Sequence, residues 1–225
     1  MFQGFSQETV DFMWGIRFNN EKTWFEAHKD QYKTHLYGPM RALGDEVYER
    51  FQEKHTDLDL VRRVSRIYRD ARRLHGRGPY KDHLWLSIER PAEQWTAQPV
   101  FWFELTPENY SYGMGFWMAP PQTMAKLRAR IDQTPGPLET LARRLNRHPR
   151  LRLDGPDYKR PKGEATPLLA PWYNKKSFSL GYEGPHDALL WSHGLVDRLL
   201  EDFEFLLPYY QYMLSLEGDR DPSSP

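Results

Sequence analysis

The run PVFWFELTPENYSYGMGFWM, residues 99–118, constrains the fold more than any other stretch of the chain. Two short segments rich in aromatic side chains, 99–106 and 110–118, flank Pro107-Glu108-Asn109. That pattern predicts a β-hairpin, with Asn109 suited to positive φ in the turn. With Thr106 facing Tyr110, Phe103 lies opposite Gly113 and Phe101 opposite Gly115, so large rings lie over both glycines. Trp102, Glu104, Tyr112 and Met114 then share the other face. A sheet apolar on both faces needs cover on both sides, or cover on one side and a pocket on the other.

Three further segments carry strand signals: VSRIYRD (64–70), HLWLSIE (83–89) and SFSLGYE (177–183). Helices precede and follow them. Ser6 starts the first, with Glu8 at the positive end of its dipole and Phe5 placed to staple onto Val10. The second runs through EKTWFEAHKDQYKTHL, where Trp24, His28 and Tyr32 recur on one side. Gly38-Pro39 ends it and opens a third, with Met40, Leu43, Val47 and Phe51 as its stripe. Met124, Leu127 and Ile131, then Leu138, Leu141 and Leu145, mark two more. Leu195, Leu199, Phe203 and Leu206 mark a last helix that Pro208 kinks or restarts. Residues 146–176, with their prolines, read as an irregular arm, and residues 218–225 as a disordered tail. The expectation is one α+β domain over residues 1–217, a mainly antiparallel sheet packed by N-terminal and C-terminal helices. Mean hydropathy is low at −0.80. The 8 Trp, 13 Tyr and 12 Phe still supply a core, since each ring buries roughly 150–250 Å².

Composition removes several kinds of chemistry. Without cysteine there is no disulfide, thiol nucleophile or thiolate metal site. HExxH, G-x-S-x-G, the dinucleotide fingerprint and the phosphate-loop ending are all missing, so no metal and no particular cofactor is indicated. His28 reads as a hydrogen-bonded core residue. No apolar run reaches the ~20 residues of a membrane span, and MFQGFSQETVDF does not read as a secretory leader. A cytoplasmic location is expected. The 31 basic side chains balance 31 acidic ones, which argues against a surface that coats nucleic acid or an acidic membrane as a whole.

Against that balance, RIYRDARRLHGRGPYKDHLWL, residues 66–86, sets five arginines and one lysine against two aspartates. A short crossing between adjacent strands brings Arg69, Arg72, Tyr80, Lys81 and His83 to one rim of the sheet. Arginine forks match phosphate or carboxylate oxygens, and lysine adds a point charge. The competing reading has Arg69 and Arg72 pair with Asp70, Asp82 or Glu104 and pin a loop. Glu104, in an apolar strand, needs a cation, and Arg69 or Arg66 is the expected partner. A separate basic group, Lys159, Arg160, Lys162, Lys175 and Lys176 with Tyr158, Trp172 and Tyr173, suits either single-stranded nucleic acid or a solvated loop.

FSQETVDFMWGIRFNNEKTWFEAHKDQY, RIYRDARRLHGRGPYKDHLWL and DYKRPKG, in that order, resemble a conserved hypothetical bacterial family catalogued as domain of unknown function 2461. The resemblance runs from Phe5 to about Leu214. Arg69, Asp70, Arg72, Pro79, Tyr80 and Lys81 match the family's central pattern, while residues 73–78 depart from it. It implies a single α+β domain and carries no activity or cofactor. The functional expectation is a small phosphate- or carboxylate-bearing ligand held by Arg69, Arg72, Tyr80, Lys81 and His83, with Glu104 orienting one arginine. The alternatives are an interaction module with a structural basic cluster, and nucleic-acid binding by the 157–176 arm.

Overall fold

The computed structural model describes residues 1–70, 72, 74, 76, 78–92 and 97–222. Helix α1 (Gln7–Phe18) starts at Ser6, whose N–H donates to Thr9 Oγ1 at 3.2 Å. Its buried residues Val10, Met13 and Ile16 recur every three, the spacing of one helix face. Then come α2 (Lys22–Ala27), α3 (Lys29–Gln31) and a π-helical segment (Tyr32–Tyr37) leading into α4 (Gly38–Lys54). Gly38 does not end a helix as expected. Its φ of −59° is right-handed, and a Cβ there would meet Lys33 O at 2.7 Å. Pro39 sits in the first turn of α4, where a missing N–H leaves no partner unsatisfied. Met40, Leu43, Val47 and Phe51 are buried, as their spacing required.

Among the described residues six strands follow in an antiparallel sheet: β1 (Val61–Val64), β2 (Leu84–Glu89), β3 (Pro99–Leu105), β4 (Asn109–Phe116), β5 (Arg152–Asp154) and β6 (Ser179–Pro185). The spatial order is β1-β2-β3-β4-β6-β5. With α5 (Pro121–Gln133), α6 (Gly136–Asn146), α7 (Ala170–Tyr173) and α8 (Gly194–Ser215), the class is α+β. Two details differ from the sequence reading. The first strand covers 61–64 rather than 64–70, and the arm contains β5 and α7. Helix α8 continues through Pro208. No helix among the described residues is long and apolar enough to cross a membrane.

The chain divides into two compact units. The first comprises Met1–Ile88, Trp102–Tyr112 and Glu183–Glu201. Within it Phe5 stacks on Phe103 at 5.8 Å, and α4 comes so close to β2 that a Cβ on Gly44 would touch Leu86. Leu84, Leu86, Ile88, Phe103 and Leu105 are buried beneath the helices. Trp85, Trp102, Glu104 and Ser111, on the alternate positions, are only half-buried.

The hairpin register is one residue away from the expected one. Thr106 N–H donates to Asn109 O at 2.9 Å, and Thr106 Oγ1 accepts from the N–H groups of Glu108 and Asn109. Thr106 therefore faces Asn109, not Tyr110. A shift of one residue moves every side chain to the opposite face. Phe103 shares its face with Tyr110, the two rings 6.1 Å apart, while Glu104 falls on the face of Trp102 and Ser111, not with Tyr112 and Met114.

The second unit comprises Glu89–Phe101, Gly113–Tyr182 and the chain from Asp202 onward. Phe101 packs on Phe203 and Tyr210 at 5.0 and 4.8 Å, and Tyr209 donates its hydroxyl to Leu141 O at 2.9 Å. β5 pairs with β6 through Arg152–Gly181, Leu153–Leu180 and Asp154–Ser179. In the tail expected from residue 218, Asp219 accepts hydrogen bonds from Arg130 at 2.6 and 2.7 Å; residues 223–225 lie outside the described residues.

Candidate functional site

The basic stretch is built on a short antiparallel ladder that extends the pairing of β1 with β2. Ser65 N–H donates to Trp85 O at 2.8 Å, Lys81 N–H to Ile67 O at 2.7 Å and Arg69 N–H to Pro79 O at 2.8 Å. Tyr68 and Tyr80 are directly opposed. The side chain of Asn20 clamps this end of the ladder. Its Oδ1 accepts Tyr80 N–H and its Nδ2 donates to Tyr80 O, both at 2.9 Å. Gly78 leaves the space that Asn20 fills. Replacing Asn20 by Ala strands the Tyr80 N–H and takes one of two donors from Tyr80 O, so a loss of about 1–2 kcal/mol in denaturant unfolding is expected.

Alternation sorts the neighbouring side chains. The ring of Tyr80 is buried against Phe25 at 4.3 Å, so this residue gives the site its backbone carbonyl. Lys81 is directed to the other side, with Nζ 5.8 Å from the Trp85 ring. Arg69 donates Nε–H to Tyr80 O at 2.7 Å, and its Nη2 lies 3.8 Å from Asp82 Oδ1. Arg72 is 87% exposed and closes on Asp70, with Nε and Nη2 at 3.0 and 2.7 Å from its two oxygens. The ladder thus collects Arg69, Lys81 and His83, while Arg72 is turned to its own neighbour.

The acids determine the field. Asp82 accepts Arg17 Nε–H at 2.6 Å and contacts His83 Nδ1 at 2.9 Å; Arg17 also grips Glu108. The hydrogen bond from His83, followed by Arg17, holds Asp82 far below the usual carboxylate range despite its burial. Among the described residues Glu104 makes no arginine pair, contrary to expectation. Its carboxylate instead meets His83, with Nε2 3.8 Å from Oε1. Burial pushes Glu104 above the usual carboxylate range, His83 and Lys81 oppose that shift, and Glu183 and Asp82 add to it. For Lys81, burial first and Arg69 second bring the ammonium down to about 8, against the pull of Glu104. No carboxylate among the described residues lies within ion-pair distance of Lys81.

A model of the conserved hypothetical proteins known as DUF2461 matches residues 8–212, most of the chain. The chain belongs to this DUF2461 family. No curated protein matches it. The match takes in the ladder just described and the N-terminal stretch from which Arg17, in α1, and Asn20, between α1 and α2, reach that ladder. The family description names no activity.

Chemically, the cluster offers a cation without a carboxylate partner among the described residues, a histidine oriented by an ionised aspartate, and a carboxyl group made more basic by burial. Such a set can hold an anion and exchange a proton with it. Among the described residues, no group of three or more His, Asp or Glu side chains is placed to hold a metal ion. Arg17, Asn20 and Trp85 were not anticipated. For Trp85 the signal is plain in the sequence, because Lys81, His83 and Trp85 alternate; for Arg17, 65 residues from Asp82, there is no local signal.

Proposed function

We propose that this protein, cytoplasmic and bacterial, binds a small molecule bearing a carboxylate or phosphate on the open sheet face beside Lys81. The observation that carries this reading is the ammonium of Lys81, half-buried over Trp85 with no carboxylate partner among the described residues, next to Arg69, whose Nη2 is 3.8 Å from Asp82. A buried cation is favourable only when an opposite charge compensates it. A ligand anion supplies that charge. Arg69 provides the second contact, and His83 and Glu104 exchange protons with the guest. Arg72, engaged by Asp70, contributes long-range attraction alone. The cytoplasmic setting suits such ligands, because their charge retains them inside cells.

The test is a thermal-shift screen with inorganic phosphate and citrate, each against sodium chloride of equal ionic strength. Ligand at about 100 times Kd adds about 2.7 kcal/mol. Lys81→Met is expected to remove the response and Arg72→Met to keep it. Affinity should fall as pH rises above about 8, approaching tenfold per pH unit, because the free ammonium loses its proton there. Absence of any shift beyond that of chloride, or equal responses from wild type and Lys81→Met, would end this reading.

A further inference from the structure

The second unit contains a denser basic group than the first. The segment RRLNRHPRLR, residues 143–152, places five arginines in ten residues with no acid. At the end of α6 it borders a cleft of about 460 Å³, whose lining includes Arg143, Arg144, Arg147, His148 and Phe205. That volume is within the usual range for small-molecule sites, roughly 300–1,000 Å³.

The walls are held in place by the chain's own bonds. Arg152 fastens the turn after α6 by donating to the carbonyls of His148, Leu151 and Pro149 at 2.8, 2.8 and 3.1 Å. His148 Nδ1 accepts the N–H groups of Leu151 and Arg150 at 2.9 and 3.3 Å, which places its proton on Nε2. Nε2 faces the fully buried Asp202 at 3.4 Å, and Arg150 reaches the same carboxylate at 3.0 Å. Asp202 is therefore neutralised behind the wall, and Glu139 is taken by Arg143 at 3.0 Å. Arg144 lies over the face of Phe205, 4.3 Å from the ring centroid. Neither Arg144 nor Arg147 has a carboxylate within ion-pair distance among the described residues. The negative end of the α6 dipole eases the mutual repulsion of these cations by about 0.3–1 kcal/mol each.

We propose that this cleft binds a phosphate monoester carried on a planar ring, a ligand of mononucleotide size. Arg144 and Arg147 clasp the phosphate oxygens, for which guanidinium forks are matched in shape and charge. The flat wall of Arg144 stacked on Phe205 receives the ring. This site uses none of the residues of the Lys81 site and stands whether or not that reading holds.

The experiment is isothermal titration of the full chain with AMP at low salt, alongside adenosine. AMP is expected to bind, with adenosine at least about tenfold weaker because the charge-assisted bonds are missing. Arg144→Gln with Arg147→Gln should weaken AMP at least about tenfold. Both side chains are exposed, so Tm should change little. The comparison is made in the Lys81→Met background, where the sheet-face anion site is absent, and AMP should still bind there. The proposal is overturned if AMP gives no heat at millimolar concentration, if adenosine binds as tightly, or if the double variant stays within about twofold of that background. Loss of AMP binding in Lys81→Met alone would place the nucleotide on the sheet face and also overturn it.

Discussion

Gly115→Ala is expected to destabilise the protein by about 3–5 kcal/mol, a large share of the roughly 5–15 kcal/mol that holds most domains together. An added Cβ would sit 2.5 Å from Ser179 Cα and 2.6 Å from Phe178 O. Both are backbone atoms of the neighbouring chain, so no rotamer change relieves the contact. Retreat would break the Phe116 N–H bond to Phe178 O at 3.0 Å, and strain the adjacent bond from Ala119 N–H to Ser177 Oγ, also 3.0 Å. Urea unfolding should show a much lower midpoint with an unchanged slope. A loss below about 1 kcal/mol would mean that β4 and β6 can separate locally at little cost.

The same glycine shows where sequence reasoning stops. The spacing of two correctly marked β3 and β4 as a hairpin, and the helical spacing of Met40, Leu43, Val47 and Phe51 correctly marked a core face. Local periodicity carries both signals. The register was set by the hydroxyl of Thr106, which ties the turn together and makes it one residue tighter than ring packing suggests. Gly115 is explained by a strand more than sixty residues further along, not by a phenylalanine laid across it. Sequence also brought Arg69, Lys81 and His83 together, because a ladder only has to close a short excursion. It did not foresee which acids they meet: Asp82 is shared with Arg17 from α1, and Glu104 meets His83 in place of an arginine. Such choices depend on contacts distant in sequence. The arginines of 143–152 carry no comparable signal: their first turn continues the regular stripe of α6, where charges on the outer face are ordinary.

Replacing Lys81 by Met separates a structural lysine from a functional one by the sign of its effect. Burial lowers the ammonium from an ordinary value of 10.5 to about 8, so at pH 7 the folded state holds a charge it disfavours. At about 1.4 kcal/mol per pH unit the penalty is at most about 3.5 kcal/mol, and nearer 2 with solvent screening. Lys81→Met should therefore stabilise the ligand-free protein at pH 7 by about 2 kcal/mol. Between pH 8 and 10.5 the unfolded chain binds the extra proton, so wild-type stability should rise with pH through that window. The advantage of the variant should shrink over the same window and vanish above it. Urea midpoints of the two proteins from pH 7 to 10.5 give the comparison. A lysine serving only as an anchor would behave oppositely: its loss would destabilise at pH 7, and no difference would close at high pH. A side chain retained against stability is what a binding site requires, since the free energy withheld in the empty state is returned when an anion arrives.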